Sequence, residues 1–300
     1  MARLIEFLTR PDHAPRPALA SLLDGYSIEM VPATVAKTTD LAAHLPARTR
    51  VYLAHIAGTP IEDMTVAAAS LARQGFEVMP HFPARAVPDT RALEDWIARY
   101  QGEAGVTSAL VIGGGLDRPT GAFDNAMELL ASGAFDRAGF TRLHVAGHPE
   151  GNRDIDPQGG ERAVMDALRW KRAFNERTDA KMAIVTQFCF EPEPVIAWGE
   201  RLREAGIDLP VHIGTAGPAK LQTLIRFAAT CGVGASMRVL KKRAADVTKL
   251  LLPYAPDAFL GPLAQHKARH PGFAIERVHF FPFGGVAQTA AWARSQTAIR

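Results

Sequence analysis

Short apolar runs alternate with longer amphipathic stretches along this 300-residue chain. The runs are rich in Val and Ile, as strands buried on both faces of a parallel sheet are. The predicted strands are Tyr26–Val31, Arg50–Ala57, Phe76–Phe82, Ser108–Gly113, Arg142–Gly147, Met182–Phe188, Pro210–Thr215 and Ile275–Phe281. Helix start and stop signals between the strands predict helices at Pro60–Gly75, Asp89–Gln101, Gly160–Glu176, Pro192–Gly206 and Pro218–Ala229.

A strand followed by a helix, repeated eight times, is typical of a (β/α)8 TIM barrel. We therefore predict an α/β fold with a single TIM-barrel domain over residues 1–300. Between Cys231 and Gly272 two helical stretches stand where one is expected, which predicts extra helices before the last strand. A doubly wound open sheet is the alternative, although no G-x-G-x-x-G motif follows the first strand.

Composition narrows the range of partners. The net charge of +3 comes from scattered basic residues, and we interpret the densest run, Lys241-Lys242-Arg243, as a solvated helix face rather than a nucleic-acid patch. Cys189 and Cys231 lack the spacing of a disulfide framework or metal site, so reduced thiols are expected. No signal-peptide h-region and no membrane-spanning apolar run occurs. We expect a cytoplasmic protein without a nucleic-acid or membrane partner.

Polar residues follow the predicted strands at their C-terminal ends, where TIM barrels place their chemistry. These residues are Glu29, His55, His81, Asp117, His148, Glu150, Gln187 and Thr215. They lack metal-ligand spacing, and no H-E-x-x-H, C-x-x-C or G-x-S-x-G motif occurs, so neither a metal site nor a serine nucleophile is predicted. The sequence indicates a mouth suited to a polar, planar ligand.

Two of these residues interrupt apolar strands. Burying the Glu29 carboxylate is unfavourable unless it is paired or protonated. It therefore forms a salt bridge inside the barrel or acts as a general acid whose pKa is raised by burial. The absence of Arg and Lys from its strand favours the acid. Gln187 is either satisfied by backbone or binds a ligand edge with both a donor and an acceptor, such as a pterin.

The remaining candidates have local explanations beside functional ones. The triplet Gly113–Gly115 is a permissive turn or a place where a cofactor approaches bare backbone. Any one of the three histidines after strands 2, 3 and 5 is a satisfied loop residue or a ligand contact. Asp117 fits a turn with a local ion pair, and Lys171 is by default a solvated helix residue.

Several segments resemble 5,10-methylenetetrahydrofolate reductases. The segments are Ile28–Pro32, Pro80–Phe82, Val145–Glu150, Ala183–Glu191, Glu200–Asp208 and His279–Phe281. The most specific are AIVTQFCFE, which is similar to the family's ITQFFFD strand, and VAGHPE, which is similar to its VAGYPE element. The others resemble the family's FEFFPP, PHL, AGID and HFY segments, in the same order along the chain.

The resemblance implies a TIM barrel that uses FAD and NAD(P)H. It assigns Glu29 as the catalytic acid that protonates folate N10, and Gln187 and Leu221 as substrate-binding residues. It assigns FAD binding to His55, His81, Gly114, Gly115, Asp117, His148, Asn152 and Lys171. The chain departs from the family's pattern at several positions. Asp117 stands one place late, His148 and Asn152 replace an aromatic residue and a histidine, and Leu221 replaces a phenylalanine. The arginine that the family has after its last strand is absent from His279–Gly285.

The implied activity is that of an oxidoreductase of one-carbon metabolism, which reduces 5,10-methylenetetrahydrofolate to 5-methyltetrahydrofolate with NADH or NADPH through bound FAD. The expected partners are the folate substrate and the nicotinamide cosubstrate, and a homo-oligomer is compatible with the sequence. Three alternatives remain open. They are a flavin-free reductase that passes hydride directly to the folate, a folate-dependent methyltransferase, and a non-catalytic folate- or flavin-binding subunit.

Overall fold

Eight parallel strands close a barrel in chain order, with β8 pairing back onto β1. The computed structural model describes residues 16–38, 40–230, 240 and 253–297. The strands are β1 (Ser27–Met30), β2 (Arg50–Leu53), β3 (Glu77–Pro83), β4 (Ser108–Ile112), β5 (Arg142–Gly147), β6 (Lys181–Phe188), β7 (Val211–Ala216) and β8 (Ile275–Phe281). The predicted TIM barrel is confirmed, and the doubly wound alternative is wrong because the sheet has no open edge.

Helices surround the barrel. Those in the described residues are α1 (Arg16–Leu23), α2 (Pro32–Lys37), α3 (Ile61–Arg73), α4 (Thr90–Ala104), α5 (Ala126–Ala131), α6 (Ala134–Arg137), α7 (Arg162–Asn175), α8 (Pro192–Glu204), α9 (Leu221–Thr230), α10 (Asp257–Arg269) and α11 (Val286–Thr297). Cys231, the Lys241-Lys242-Arg243 run and most of the predicted extra helices lie outside the described residues. None of the described helices is long and apolar enough to cross a membrane.

Local signals in the sequence set several helix ends. Asp89 caps α4, since its carboxylate accepts a hydrogen bond from the Ala92 amide at 2.8 Å. Gly105 ends the same helix at φ 62°, a left-handed conformation that suits glycine. The predicted second strand is too long at its C-terminal end, because β2 stops at Leu53 and His55 lies in the loop that follows.

Strand alternation divides the core into two layers. One set of strand side chains, which includes Ile28, Val111 and Phe280, packs outward against the helices. The opposite set fills the barrel interior with a small cluster of Tyr52, Met79, Leu110 and Val185. This filled interior separates the C-terminal mouth from the N-terminal pole of the barrel.

Candidate functional site

A carboxylate and two histidines meet at the mouth of the barrel. Glu29 on β1 lies 3.4 Å from the His81 Nε2 atom on β3 and 3.6 Å from the His279 Nε2 atom on β8, both measured to Glu29 Oε2. Three strands therefore present one acid–imidazole cluster, which we call the Glu29 cluster. Glu29 and His81 were sequence candidates, whereas His279 had been noted only within a resembling strand.

The Glu29 cluster is buried but reaches solvent through the carboxylate. The Glu29 side chain is 21% exposed, whereas that of His279 is fully buried. The Nδ1 atom of His279 is held by the Ser27 hydroxyl at 3.0 Å, which orients the ring. The Nε2 atoms of both histidines lie 3.4 and 3.6 Å from the Glu29 carboxylate and have no other hydrogen-bond partner among the described residues. A buried polar atom normally has a partner, so the cluster retains capacity to bind a ligand.

The expected rise in the Glu29 pKa is wrong. Burial does raise it, but hydrogen bonding and charge from His279 and His81 outweigh burial and lower the pKa to about 2. The expectation considered only cations on the same strand, and the partners come from β3 and β8. Burial lowers the pKa of His279, although Glu29 opposes that shift. At neutral pH the free protein thus holds Glu29 as a carboxylate.

Gln187 lies at an irregularity in the β6–β7 ladder. The register shifts between Val185 and Phe188, and the Thr186 hydroxyl accepts a hydrogen bond from the Gly214 amide at 2.8 Å. The Gln187 Oε1 atom accepts a long hydrogen bond of 3.3 Å from the Phe188 amide. Its amide nitrogen makes no hydrogen bond to any residue that the structure describes. The side chain is half-buried, so a donor remains available to a ligand.

Leu221 belongs to an apolar wall beside Gln187. Buried and at the start of α9, it lies in one cluster with Phe188, Phe281 and Tyr254. The Phe281 ring lies 4.9 Å from the His279 ring and 5.3 Å from the Phe188 ring, measured between centroids. The wall thus runs from the Glu29 cluster towards Gln187, and the half-buried Phe283, which packs against it, leaves aromatic surface exposed.

Gly114 and Gly115, which follow β4, differ in whether the fold requires glycine at that position. Gly114 has φ +97°, and a Cβ atom there would lie 2.9 Å from the Cβ atom of Pro83. Gly115 has open space at its Cβ position, so neither contact nor conformation requires glycine. Asp117 is exposed and forms no ion pair with the described residues. The chain bends at Asp117, whereas the predicted local ion pair is absent from the described residues.

Arg85 organises the loops here and was missed by the sequence analysis. Its guanidinium donates to the Leu116 carbonyl at 2.9 Å and pairs with Asp124 and Asp154, each at 2.9 Å. It therefore ties the loop after β3 to the loops after β4 and β5. No motif marks it, because its partners are distant in the chain.

His148, Asn152 and Lys171 form a second polar group beside β5. Asn152 donates to the His148 Nδ1 atom at 3.4 Å, and its side-chain oxygen caps the Asp154 amide at 2.8 Å. Lys171 donates to the Ala146 carbonyl at 3.0 Å, and burial lowers its pKa to about 8. Burial, then the Lys171 charge, lowers the pKa of His148 to about 4. The default interpretation of Lys171 as solvated is wrong.

Some of the residues that the resemblance assigns to FAD already have local partners. His55 donates from Nε2 to the Thr59 carbonyl and packs against Trp96, and Lys171 is engaged by Ala146. His81 belongs to the Glu29 cluster, and its charge contributes to the lowered pKa of His55, after burial. His55 keeps a buried Nδ1 atom without a hydrogen-bond partner among the described residues. The assignment of this set to FAD stays a prediction.

Within residues 16–38, 40–230, 240 and 253–297, no group of three or more His, Cys, Asp or Glu side chains has a geometry that could hold a metal ion. Cys189 is a buried free thiol, and burial raises its pKa well above the usual value.

No protein-family model matches the chain. A Clostridium thermocellum protein that binds two copies of 5-methyl-5,6,7,8-tetrahydrofolic acid has a similar fold, with a TM-score of 0.54 and 10% identity over 94% of this chain and 98% of that one. Dihydropteroate synthase from Anaplasma phagocytophilum, with bound 6-hydroxymethylpterin-monophosphate, has a TM-score of 0.47 and 12% identity over 90% and 99%. The Yersinia pestis synthase, with a pterine-sulfa conjugate, has a TM-score of 0.44 and 11% identity over 93% and 96%. The first comparison supports the shared barrel fold.

Proposed function

We propose that the mouth of this barrel binds a reduced folate and that the protein reduces its 5,10-methylene bridge to a methyl group with NADH or NADPH. The Glu29 cluster carries the proposal, because it combines an ionised carboxylate with two imidazole nitrogens whose only polar neighbour among the described residues is that carboxylate. The reductase-like TQF strand adds support. So does the barrel of similar fold that binds 5-methyl-5,6,7,8-tetrahydrofolic acid.

The proposed binding mode follows from the wall chemistry. A pterin has flat apolar faces and an edge with both donors and acceptors. The half-buried Phe283, which packs against Phe281, offers apolar surface to the faces, and the Gln187 amide offers a donor to the edge. The Glu29 carboxylate is an acceptor for N–H groups. Folate affinity is thus divided between stacking and a few polar contacts, as is usual in small-molecule sites.

The reaction needs one hydride and one proton. The C–N10 bond of the methylene bridge breaks, N10 takes a proton, and the nicotinamide delivers hydride to the carbon that remains on N5. Glu29 has a pKa of about 2 in the free protein, so it carries no proton at neutral pH. The proton for N10 therefore comes from solvent, and His81 and His279, which lie against the Glu29 carboxylate, are the groups that relay it.

Glu29→Gln tests this function. Folate-dependent NADH oxidation should fall by roughly two to four orders of magnitude, the usual range for loss of acid–base catalysis, because a neutral amide does not stabilise the protonated imidazole that relays the proton. Calorimetric binding of 5-methyltetrahydrofolate should persist. Glu94→Gln, which removes an exposed carboxylate on α4, is the matched control and should retain the parental rate. A Glu29→Gln variant with the parental rate would refute the role of the carboxylate.

A second candidate is a folate-binding protein without redox activity, either a methyltransferase or a binding subunit. The low pKa of Glu29 favours this candidate, because a carboxylate that stays ionised is better suited to accept hydrogen bonds than to donate a proton. Tight 5-methyltetrahydrofolate binding without folate-dependent NADH oxidation would support this candidate over the reductase. The absorbance spectrum of the purified protein near the flavin bands decides between the FAD-dependent and flavin-free reductases.

A further inference from the structure

A second polar cavity lies at the opposite pole of the barrel, among the N-terminal ends of the strands. Its volume is about 190 Å³, and four basic side chains line it: Arg50, Arg142, Lys181 and Arg277. Only one carboxylate, Glu276, shares the lining. Such a volume accommodates several water molecules or a small ligand. We call this space the basic-pole cavity.

The strand register brings these cations together. Arg50, Arg142 and Lys181 are the first residues of β2, β5 and β6, and Arg142 pairs directly with Lys181 across the ladder. Arg277 follows on β8, beside His212 of β7. Like charges at neighbouring positions repel, so this arrangement lowers stability unless an anion lies between them.

The counter-charges present do not neutralise the cations. Arg277 pairs with Glu276 at 3.0 Å, and Arg50 pairs with Glu77 at 2.9 Å. Glu77 is shared with Arg48 at the same distance. Arg142 and Lys181 form no ion pair with any described residue. Charged residues at the N-terminal pole of a barrel are usually interpreted as stabilising the fold. A network built only for stability would pair its charges, and these cations are only partly paired.

Arg50 supplies a second observation. It is 9% exposed, and its Nε atom has no hydrogen-bond partner although it is buried. A guanidinium presents a planar fork of donors that fits the oxygens of a phosphate or carboxylate. The unused donor at the wall of the cavity therefore fits a bound oxyanion.

The two histidines of the cavity are held in the positive field. Burial is the largest cause that lowers the pKa of His144, followed by the neighbouring His212 and then by the charges of Arg50 and Arg142. Burial and the charges of Arg50 and Arg277 lower the pKa of His212 to about 3. Both are neutral at pH 7 in the free protein, so their N–H groups are additional neutral donors for an anion.

We propose that the basic-pole cavity binds a phosphate-class oxyanion. Cations that converge from four strands can contact several oxygens at once, which a tetrahedral polyanion offers and a monocarboxylate does not. The site lies across the filled interior from Glu29, so its occupancy is independent of the proposed folate chemistry.

Isothermal titration with inorganic phosphate, in a low-salt chloride buffer at pH 7, tests the proposal. The parent should bind one phosphate per chain in a saturable manner and bind acetate at least about tenfold more weakly. The double variant Arg142→Gln/Lys181→Gln should lose about tenfold or more of the phosphate affinity. The control Lys37→Gln/Arg169→Gln removes the same charge from exposed helix positions and should bind as the parent does.

Histidine-labelled NMR locates the site, because bound phosphate should shift the His144 and His212 resonances and leave His270 unchanged. Absence of saturable binding, equal binding of acetate, equal loss in the two double variants or unshifted His144 and His212 signals would each overturn the proposal. If the Arg142 variant does not fold, Lys181→Gln alone serves, because Lys181 is exposed at the start of β6. It should still weaken phosphate binding measurably, and parental affinity would count against the site.

Discussion

Glu29 shows how a carboxylate inside a barrel is held ionised without an arginine or lysine. His81 and His279 approach the same carboxylate oxygen from β3 and β8, and together they offset the penalty of burial. The strand that carries Glu29 gives no sign of this, since both partners are far away in the chain. The protonation state of a buried residue is set by the strands around it.

At the same scale, Gln187→Ala should weaken binding of 5-methyltetrahydrofolate by about tenfold, the typical loss for one hydrogen bond in a buried site. Stability should change by less than about 1 kcal/mol, because among the described residues the side chain makes a single hydrogen bond, a long one with its neighbour Phe188. Calorimetric titration measures the affinity, and urea unfolding measures the stability.

The control for that substitution is Gln74→Ala. The side-chain amide of Gln74, at the C-terminal end of α3, donates a hydrogen bond to the Ser70 carbonyl. It should bind folate as the parent does. Unchanged folate affinity in Gln187→Ala would show that the amide does not contact the ligand. A large loss of stability instead would favour the interpretation that backbone alone satisfies Gln187.

At the scale of elements, the apolar runs located every strand because both faces of a parallel strand are buried. Helix boundaries followed from local caps such as Asp89. The irregularity in the β6–β7 ladder was not predicted, since it depends on Thr186 meeting the Gly214 amide of another strand. For the same reason Ser27 and Arg85 were not predicted, since their partners are distant in the chain. Glu29 and His81 were candidates because each is a polar residue in an apolar strand.

Gly214→Ala tests the importance of that irregularity. A Cβ atom at Gly214 would lie 2.4 Å from the Thr186 carbonyl oxygen and 2.5 Å from that of Gln187. Because both contacts are with backbone, we expect a loss of about 1–3 kcal/mol in the free energy of unfolding. Urea denaturation measures it.

Gly102→Ala is the matched control, because its Cβ position within α4 is open. A methyl group in a helix should leave stability unchanged or raise it by up to about 1 kcal/mol. Equal stability of the parent and Gly214→Ala would mean that β6 and β7 adjust without loss. The ladder irregularity would then be no constraint on the position of Gln187.

At the scale of the whole molecule, the interior of the barrel is polar on the side of β5 and β7. The Tyr52 hydroxyl lies 2.5 Å from the Nδ1 atom of His144 and 3.5 Å from that of His212. All three side chains are buried. The two histidines are therefore kept neutral in the middle of the fold, between the Glu29 cluster at one pole and the cations at the other. Unfolding exposes them to protonation.

This arrangement predicts acid lability. The pKa of His212 is about 3 in the folded protein and 6.5 in the unfolded chain. Between pH 3 and pH 6.5 the unfolded chain therefore binds more protons than the folded protein. Stability is fully present above pH 6.5 and falls as the pH drops, by roughly 2 kcal/mol from pH 7 to pH 5 for this residue. Urea unfolding across that range should show a smaller loss for His212→Gln than for the parent. His270→Gln, at an exposed position, should follow the parent, and parallel curves for all three proteins would mean that His212 is protonated in the folded state.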